Sequence, residues 1–158
     1  LDLGPYRKTA AKDSNPFTPA VNLYFGLEAA LDMMQKEGLE AIISRHARHR
    51  TAAQAGMEAI GLPLFAAKGH GSPAITAVAP EGLDAELLRK TVKEKFDILL
   101  AGGQDHLKGK VFRIGHLGYV CDRDVLTAVS AIEATLQSLG QHKGTMGSGV
   151  AATSAALN

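Results

Sequence analysis

Arg113 is the side chain whose type and setting best suit it to chemistry. It stands in a short apolar run, Val111 to Ile114, behind a glycine-rich loop with two lysines, within the stretch AGGQDHLKGKVFRIGHLG from Ala101 to Gly118. Glycines let a backbone approach a ligand closely, and an arginine fixed on a strand presents a planar fork of donors that matches a carboxylate or phosphate. The residues alone leave two roles open for Arg113: an anion-binding group, or a solvated or salt-bridged strand residue. The same choice applies to Gly102, Gly103 and Gly109, which either shape a ligand loop or serve as turn glycines.

Other groups carry less chemistry. Arg45, Arg48, His49 and Arg50 form a basic cluster on a helix-like segment, expected to be a solvated face because no aromatic residues interleave with it. His46 falls at an apolar position with no second ligand at metal-site spacing, so it is expected to be a satisfied histidine. GTMGSG near the end of the chain lacks the strand before it and the Lys-Ser or Lys-Thr after it that a phosphate loop needs. The GGQ tripeptide of peptide-release factors occurs at Gly102 to Gln104, without the basic surroundings of an RNA-binding site.

The elements that must position these residues follow from composition and pattern. A chain of 158 residues, 46% hydrophobic, can bury one real core. Seventeen basic side chains against 16 acidic ones leave no electrostatic footprint for nucleic acid or a charged membrane surface. The single cysteine, Cys121, offers no internal disulfide and suits a reducing cytoplasm, the expected location. No apolar run is long enough to span a bilayer, and the N-terminal residues do not form a signal peptide. A start at Leu1 rather than Met suggests a piece of a longer protein.

Residues 1–17 are polar and punctuated by Gly4, Pro5 and Pro16, so a linker or arm is expected. Thr18 followed by Pro19 predicts a helix start, with Leu23, Leu27, Leu31 and Met34 at helical spacing. A second helix is predicted from Leu39 to Ile60, stopped by Gly61 and Pro63. Ala74 to Ala79 reads as a strand, and a helix capped by Asp84 follows, with Leu87, Leu88, Val92 and Phe96 on its inner side. Ile98 to Leu100 and Val111 to Ile114 predict a hairpin around the glycine-rich loop. A last helix, capped by Asp122, carries Val125, Val129, Ile132, Leu136 and Leu139 and ends at Gly140. Residues 141–158 are small and polar and predict a disordered tail. The sum is an α+β domain: two helices, then a small, mainly antiparallel sheet covered by helices. Strand alternation puts Phe112 and Ile114 on one face and Val111 and Arg113 on the other, so Arg113 faces a second domain or a ligand if helices cover the first.

Four segments carry a family resemblance: TPAVNLYFGLEAAL at Thr18 to Leu31, the GLE to RH series from Gly38 to His46, SPAITAVAPEGLD at Ser72 to Asp84, and AGGQDHLKGKVFRIGHLGYV at Ala101 to Val120. In this order they make Thr18 to Leu139 resemble the C-terminal small domain of class V aminotransferases. These are fold-type I pyridoxal-phosphate enzymes that include alanine-glyoxylate and serine-glyoxylate aminotransferases. Some members in cyanobacteria carry the label soluble hydrogenase small, or tritium-exchange, subunit.

The resemblance implies roles residue by residue. Arg113 matches the arginine that holds the α-carboxylate of the amino-acid substrate. Thr18 matches the residue that reaches the cofactor phosphate of the neighbouring subunit in a homodimer. Asn15 stands where some members place a tyrosine for that phosphate, and this departure leaves its role open. Gly102, Gly103 and Gly109 would shape the loop beneath the substrate. The Schiff-base lysine and most ligands of pyridoxal 5'-phosphate belong to a large domain upstream of Leu1 in this family, so the chain alone is expected to be inert and its parent to be a transaminase acting on a small amino acid and a 2-oxo acid such as glyoxylate. Two rival readings stand beside it. One is a free-standing amino-acid-binding regulatory domain. The other is a hydrogenase accessory subunit, against which counts the lack of any CxxC motif or histidine cluster for metal.

Overall fold

The computed structural model describes residues 2–158, and by compactness the chain divides into two units, the first ending at Ile42 and the second running Ile43–Asn158. The first unit contains α1 (Gly4–Ala10) and α2 (Val21–Glu37), and α3 (Leu39–Ala59) starts at its end. Helix α1 lies where a linker was expected. Proline in its first turn has its φ already set for a helix, and the Tyr6 and Phe17 rings meet edge-on at 6.1 Å. Thr18 does not cap α2: the helix begins three residues later, with Val21 N–H donating to Pro19 O at 2.9 Å. No residue of α2 is buried, and Leu23, Leu27, Leu31 and Met34 are all exposed.

The second unit holds the sheet. Among the described residues it has three strands, β1 (Ile75–Val78), β2 (Ala101–Gly102) and β3 (Phe112–Gly115), in the antiparallel order β1-β3-β2. Thr76 pairs with Ile114 and Val78 with Phe112, and all four are buried, so one face of the sheet belongs to the core. Helices α4 (Ala85–Phe96) and α5 (Asp122–Ser138), the end of α3 and the turn just after it supply the other side of that core through Leu88, Val92, Val129, Ile132, Leu136, Met57 and Ile60. This is the expected α+β architecture.

Asp84 caps α4 as predicted, its carboxylate accepting Glu86 N–H at 2.8 Å. The inner face of α4 is Ala85, Leu88 and Val92, whereas Leu87 and Phe96 are exposed. The strand expected at Ile98 to Leu100 forms instead at Ala101–Gly102, because Leu100 turns into the core and backbone pairing starts only beyond it. Helix α5 is capped at Cys121 rather than Asp122, with the Asp124 carboxylate accepting Cys121 N–H at 2.9 Å.

Residues 141–158 are not a disordered tail: they contain α6 (Ser148–Leu157), packed on α5. Its small residues allow this. A Cβ at Gly149 would stand 2.7 Å from Ile60, and one at Gly56 of α3 would collide with Thr153 Oγ1. Buried Glu133 of α5 holds the start of α6, its Oε1 accepting Gly147 N–H at 2.9 Å and Gly149 N–H at 3.3 Å, with His142 Nε2 at 3.2 Å. Arg48 donates to Leu157 O at 2.9 Å at the other end. A carboxylate at the N-terminus and a guanidinium at the C-terminus each oppose the helix dipole at its own end.

Candidate functional site

Arg113 occupies the middle of the central strand, opposite Ala77 of β1 and Ala101 of β2. Its neighbours Phe112 and Ile114 are buried and Arg113 is half-buried, as strand alternation requires. Two alanines as cross-strand partners leave room around the guanidinium on the outer face. Nε donates to Gly102 O at 3.0 Å, and among the described residues Arg113 enters no ion pair. One edge of the fork is thus fixed to the backbone, and the paired Nη groups remain for a planar anion.

The loop before Arg113 is shaped by packing. Gly103 N–H donates to Val111 O at 2.8 Å, closing the hairpin, and a Cβ at Gly103 would collide with the Leu107 carbonyl. A 3-10 turn follows at Asp105–Leu107. Gly109 has φ +75°, the left-handed region that favours glycine, and its carbonyl accepts Ala85 N–H at 3.0 Å, tying the loop to the start of α4. Gly102 leaves space for Arg89 and Glu86 of α4. Thr18 and Asn15 lie in the first unit, both exposed and neither hydrogen-bonded to a described residue.

The segment after β3 is fastened by residues whose role sequence pattern did not disclose. The basic cluster of α3 is a tie rather than a solvated face. Arg45 donates to Gly118 O and Val120 O at 2.9 and 3.0 Å, and Gly118 N–H donates to His46 Nε2 at 3.1 Å. Arg48 grips Asp122 with two bonds of 2.8 Å, and buried His49 adds a third at 2.8 Å. Arg48, and after it His49, hold the Asp122 carboxyl below the usual carboxylate range. His116 is fully buried beside Thr76 Oγ1 at 2.9 Å, and burial pushes its pKa down to about 4. These partners lie about 70 residues apart in sequence, which no local pattern reveals.

No family model matches the chain. A soluble hydrogenase small subunit from Synechococcus is 62% identical over 158 residues, spanning all of this chain and 41% of that protein. A serine-glyoxylate aminotransferase from Arabidopsis thaliana is 40% identical over 144 residues, 90% of this chain and 36% of that protein. Among solved structures, the ureidoglycine-glyoxylate aminotransferase of Bacillus subtilis superposes with a TM-score of 0.86 at 30% identity, covering 98% of this chain and 41% of that one. The chain is a fold-type I pyridoxal-phosphate aminotransferase-like domain. It is related to class V aminotransferases and to chains labelled as soluble hydrogenase small subunit. The domain spans about two fifths of the length of the two soluble hydrogenase relatives it matches.

The described residues of this aminotransferase-like domain do not by themselves fit the family's cofactor. A lysine that forms an imine must be held neutral, which calls for a desolvated or cation-flanked site. Every described lysine of the domain is exposed. Among the described residues no cluster of three or more His, Cys, Asp or Glu side chains is arranged to hold a metal ion.

Proposed function

We propose that this domain is the substrate-carboxylate half of a class V aminotransferase active site. Arg113 holds the α-carboxylate of a small amino acid, or of the 2-oxo acid that accepts its amino group, and the remainder of the longer protein holds the cofactor. One observation carries the reading: a half-buried arginine on the central strand, its Nε anchored to Gly102 O and its Nη edge unpaired among the described residues. The family resemblance of the surrounding stretch supports it. An anchored guanidinium loses little freedom on binding and fixes the direction from which the carboxylate arrives.

In this reading the longer protein is a homodimer, Thr18 and Asn15 belong to the contact with the neighbouring subunit's cofactor phosphate, and Gly102, Gly103 and Gly109 hold the loop under the substrate. The 158-residue chain alone is inert. The test is Arg113→Ala in the longer protein. Losing a charge-assisted bidentate contact of about 1.5–3 kcal/mol raises the amino-acid KM about 10- to 150-fold. Bound-cofactor absorbance should stay unchanged. Unaltered kinetics would overturn the assignment.

A second reading takes its support from the names of the Synechococcus and Anabaena cylindrica relatives, both soluble hydrogenase subunits, at 62% and 55% identity. It makes the domain part of a hydrogen-handling assembly. Hydrogen-dependent dye reduction by the purified longer protein, with no transamination, would favour it.

A further inference from the structure

The backbone two residues before the carbonyl that anchors Arg113 is held by a charged pair on α4. Arg89 Nε donates to Leu100 O at 2.7 Å, fixing the residue just before β2, while Arg89 Nη1 donates to Glu86 Oε2 at 2.6 Å. The pair lies directly against Gly102: a Cβ there would stand 2.6 Å from Arg89 Nη1 and 2.8 Å from Glu86 Oε1. Glycine at this position therefore makes room for the pair.

Strand β2 has only two residues and lies at the sheet edge. So short an edge strand, paired on one side alone, has little backbone pairing of its own to hold it. What fixes it is Leu100, with its side chain buried in the core and its carbonyl held by Arg89. Arg89 uses two edges of one guanidinium, Nε on the backbone and Nη1 on Glu86, a geometry that a lysine ammonium cannot reproduce. Glu86 in turn sets the plane of the guanidinium, three residues away on the same helix face. A continuous series of contacts thus runs from Glu86 to Arg89, to the backbone of Leu100 and Gly102, and from Gly102 O to Arg113.

We propose that Glu86 and Arg89 are positioning residues for Arg113, setting where its free Nη edge points and hence how well the domain grips a substrate carboxylate. The inference rests on the reading of Arg113 given above. Neither residue touches substrate. Their contribution therefore appears only when Arg113 is present to be positioned.

The test is a double-mutant cycle in the longer protein, pairing Arg89→Met with Arg113→Ala and measuring kcat and the amino-acid KM. Arg89→Met alone should raise KM about 5- to 20-fold with kcat changed less than about twofold, and should add less than about twofold in the Arg113→Ala background. Arg89→Lys should fail to rescue. Glu86→Gln, at a side chain 39% exposed and so safe for folding, should raise KM about two- to fourfold, again only when Arg113 is intact. Additive effects on KM, with Arg113→Ala itself impaired, would overturn the positioning role while leaving the carboxylate reading standing. No effect of Arg113→Ala would remove both.

Discussion

Lowering the pH should destabilise this domain through His116 before Asp122 and Asp124 titrate. His116 is fully buried against Thr76, and burial lowers its pKa from 6.5 to about 4. Between these values the unfolded chain takes up a proton that the folded chain refuses, so stability falls as pH falls. With these two pKa values the loss is about 2 kcal/mol by pH 5 and about 3 kcal/mol by pH 4, relative to neutral pH. Asp122 and Asp124, both held below the ordinary carboxylate value of 3.8, have the opposite starting point: their contribution is intact above that value and disappears only as pH falls towards their folded pKa values. The window from pH 6.5 to 5 therefore isolates the histidine from these carboxylates. The chain has no tryptophan, so urea unfolding is best followed by far-UV circular dichroism at half-unit pH steps. His116→Gln keeps a polar partner for Thr76 and should flatten the slope across this window. A wild-type stability that does not change between pH 7 and 5, or an unchanged slope in His116→Gln, would refute the reasoning.

Two further outcomes concern the ends of the chain. Glu133→Gln retains the shape but removes the charge facing the start of α6 and His142, and should cost about 1–2 kcal/mol of unfolding free energy; stability equal to wild type in urea would show that α6 is held by packing alone. The longer protein should sediment as a dimer, in keeping with an α2 that exposes Leu23, Tyr24, Phe25 and Leu27. A clean monomer at high concentration would count against the shared-site reading.

Local signals located the parts of this fold that local physics controls. The Asp84 cap, the helical spacing of Val125, Val129, Ile132 and Leu136, and the alternation of Phe112, Arg113 and Ile114 each appear in the structure where the residues placed them. What the sequence concealed depends on partners far along the chain. The tail of alanine, glycine, serine and threonine looks like low complexity because it lacks large apolar residues. It folds because small residues let α6 approach Ile60 and Val129, and because Glu133 and Arg48 meet its two ends. The basic cluster on α3 resembles a solvated face until Asp122 and the carbonyls of Gly118 and Val120 are brought to it. Strand β2 begins directly after the apolar run Ile98 to Leu100, because a three-residue apolar run does not distinguish a strand from a core-facing turn. At the candidate site, the residue type and strand parity of Arg113 were legible. Its anchoring by Gly102 O and the Glu86–Arg89 pair packed against Gly102 were not.

The most direct test of the account compares an amino acid with its own amide. In the longer protein, Arg113→Ala should weaken the interaction with L-alanine about 10- to 150-fold while leaving that with L-alaninamide, which lacks the carboxylate, within about twofold of wild type. An equal loss for both compounds, or none for either, would contradict the assignment of Arg113 as the carboxylate-binding residue.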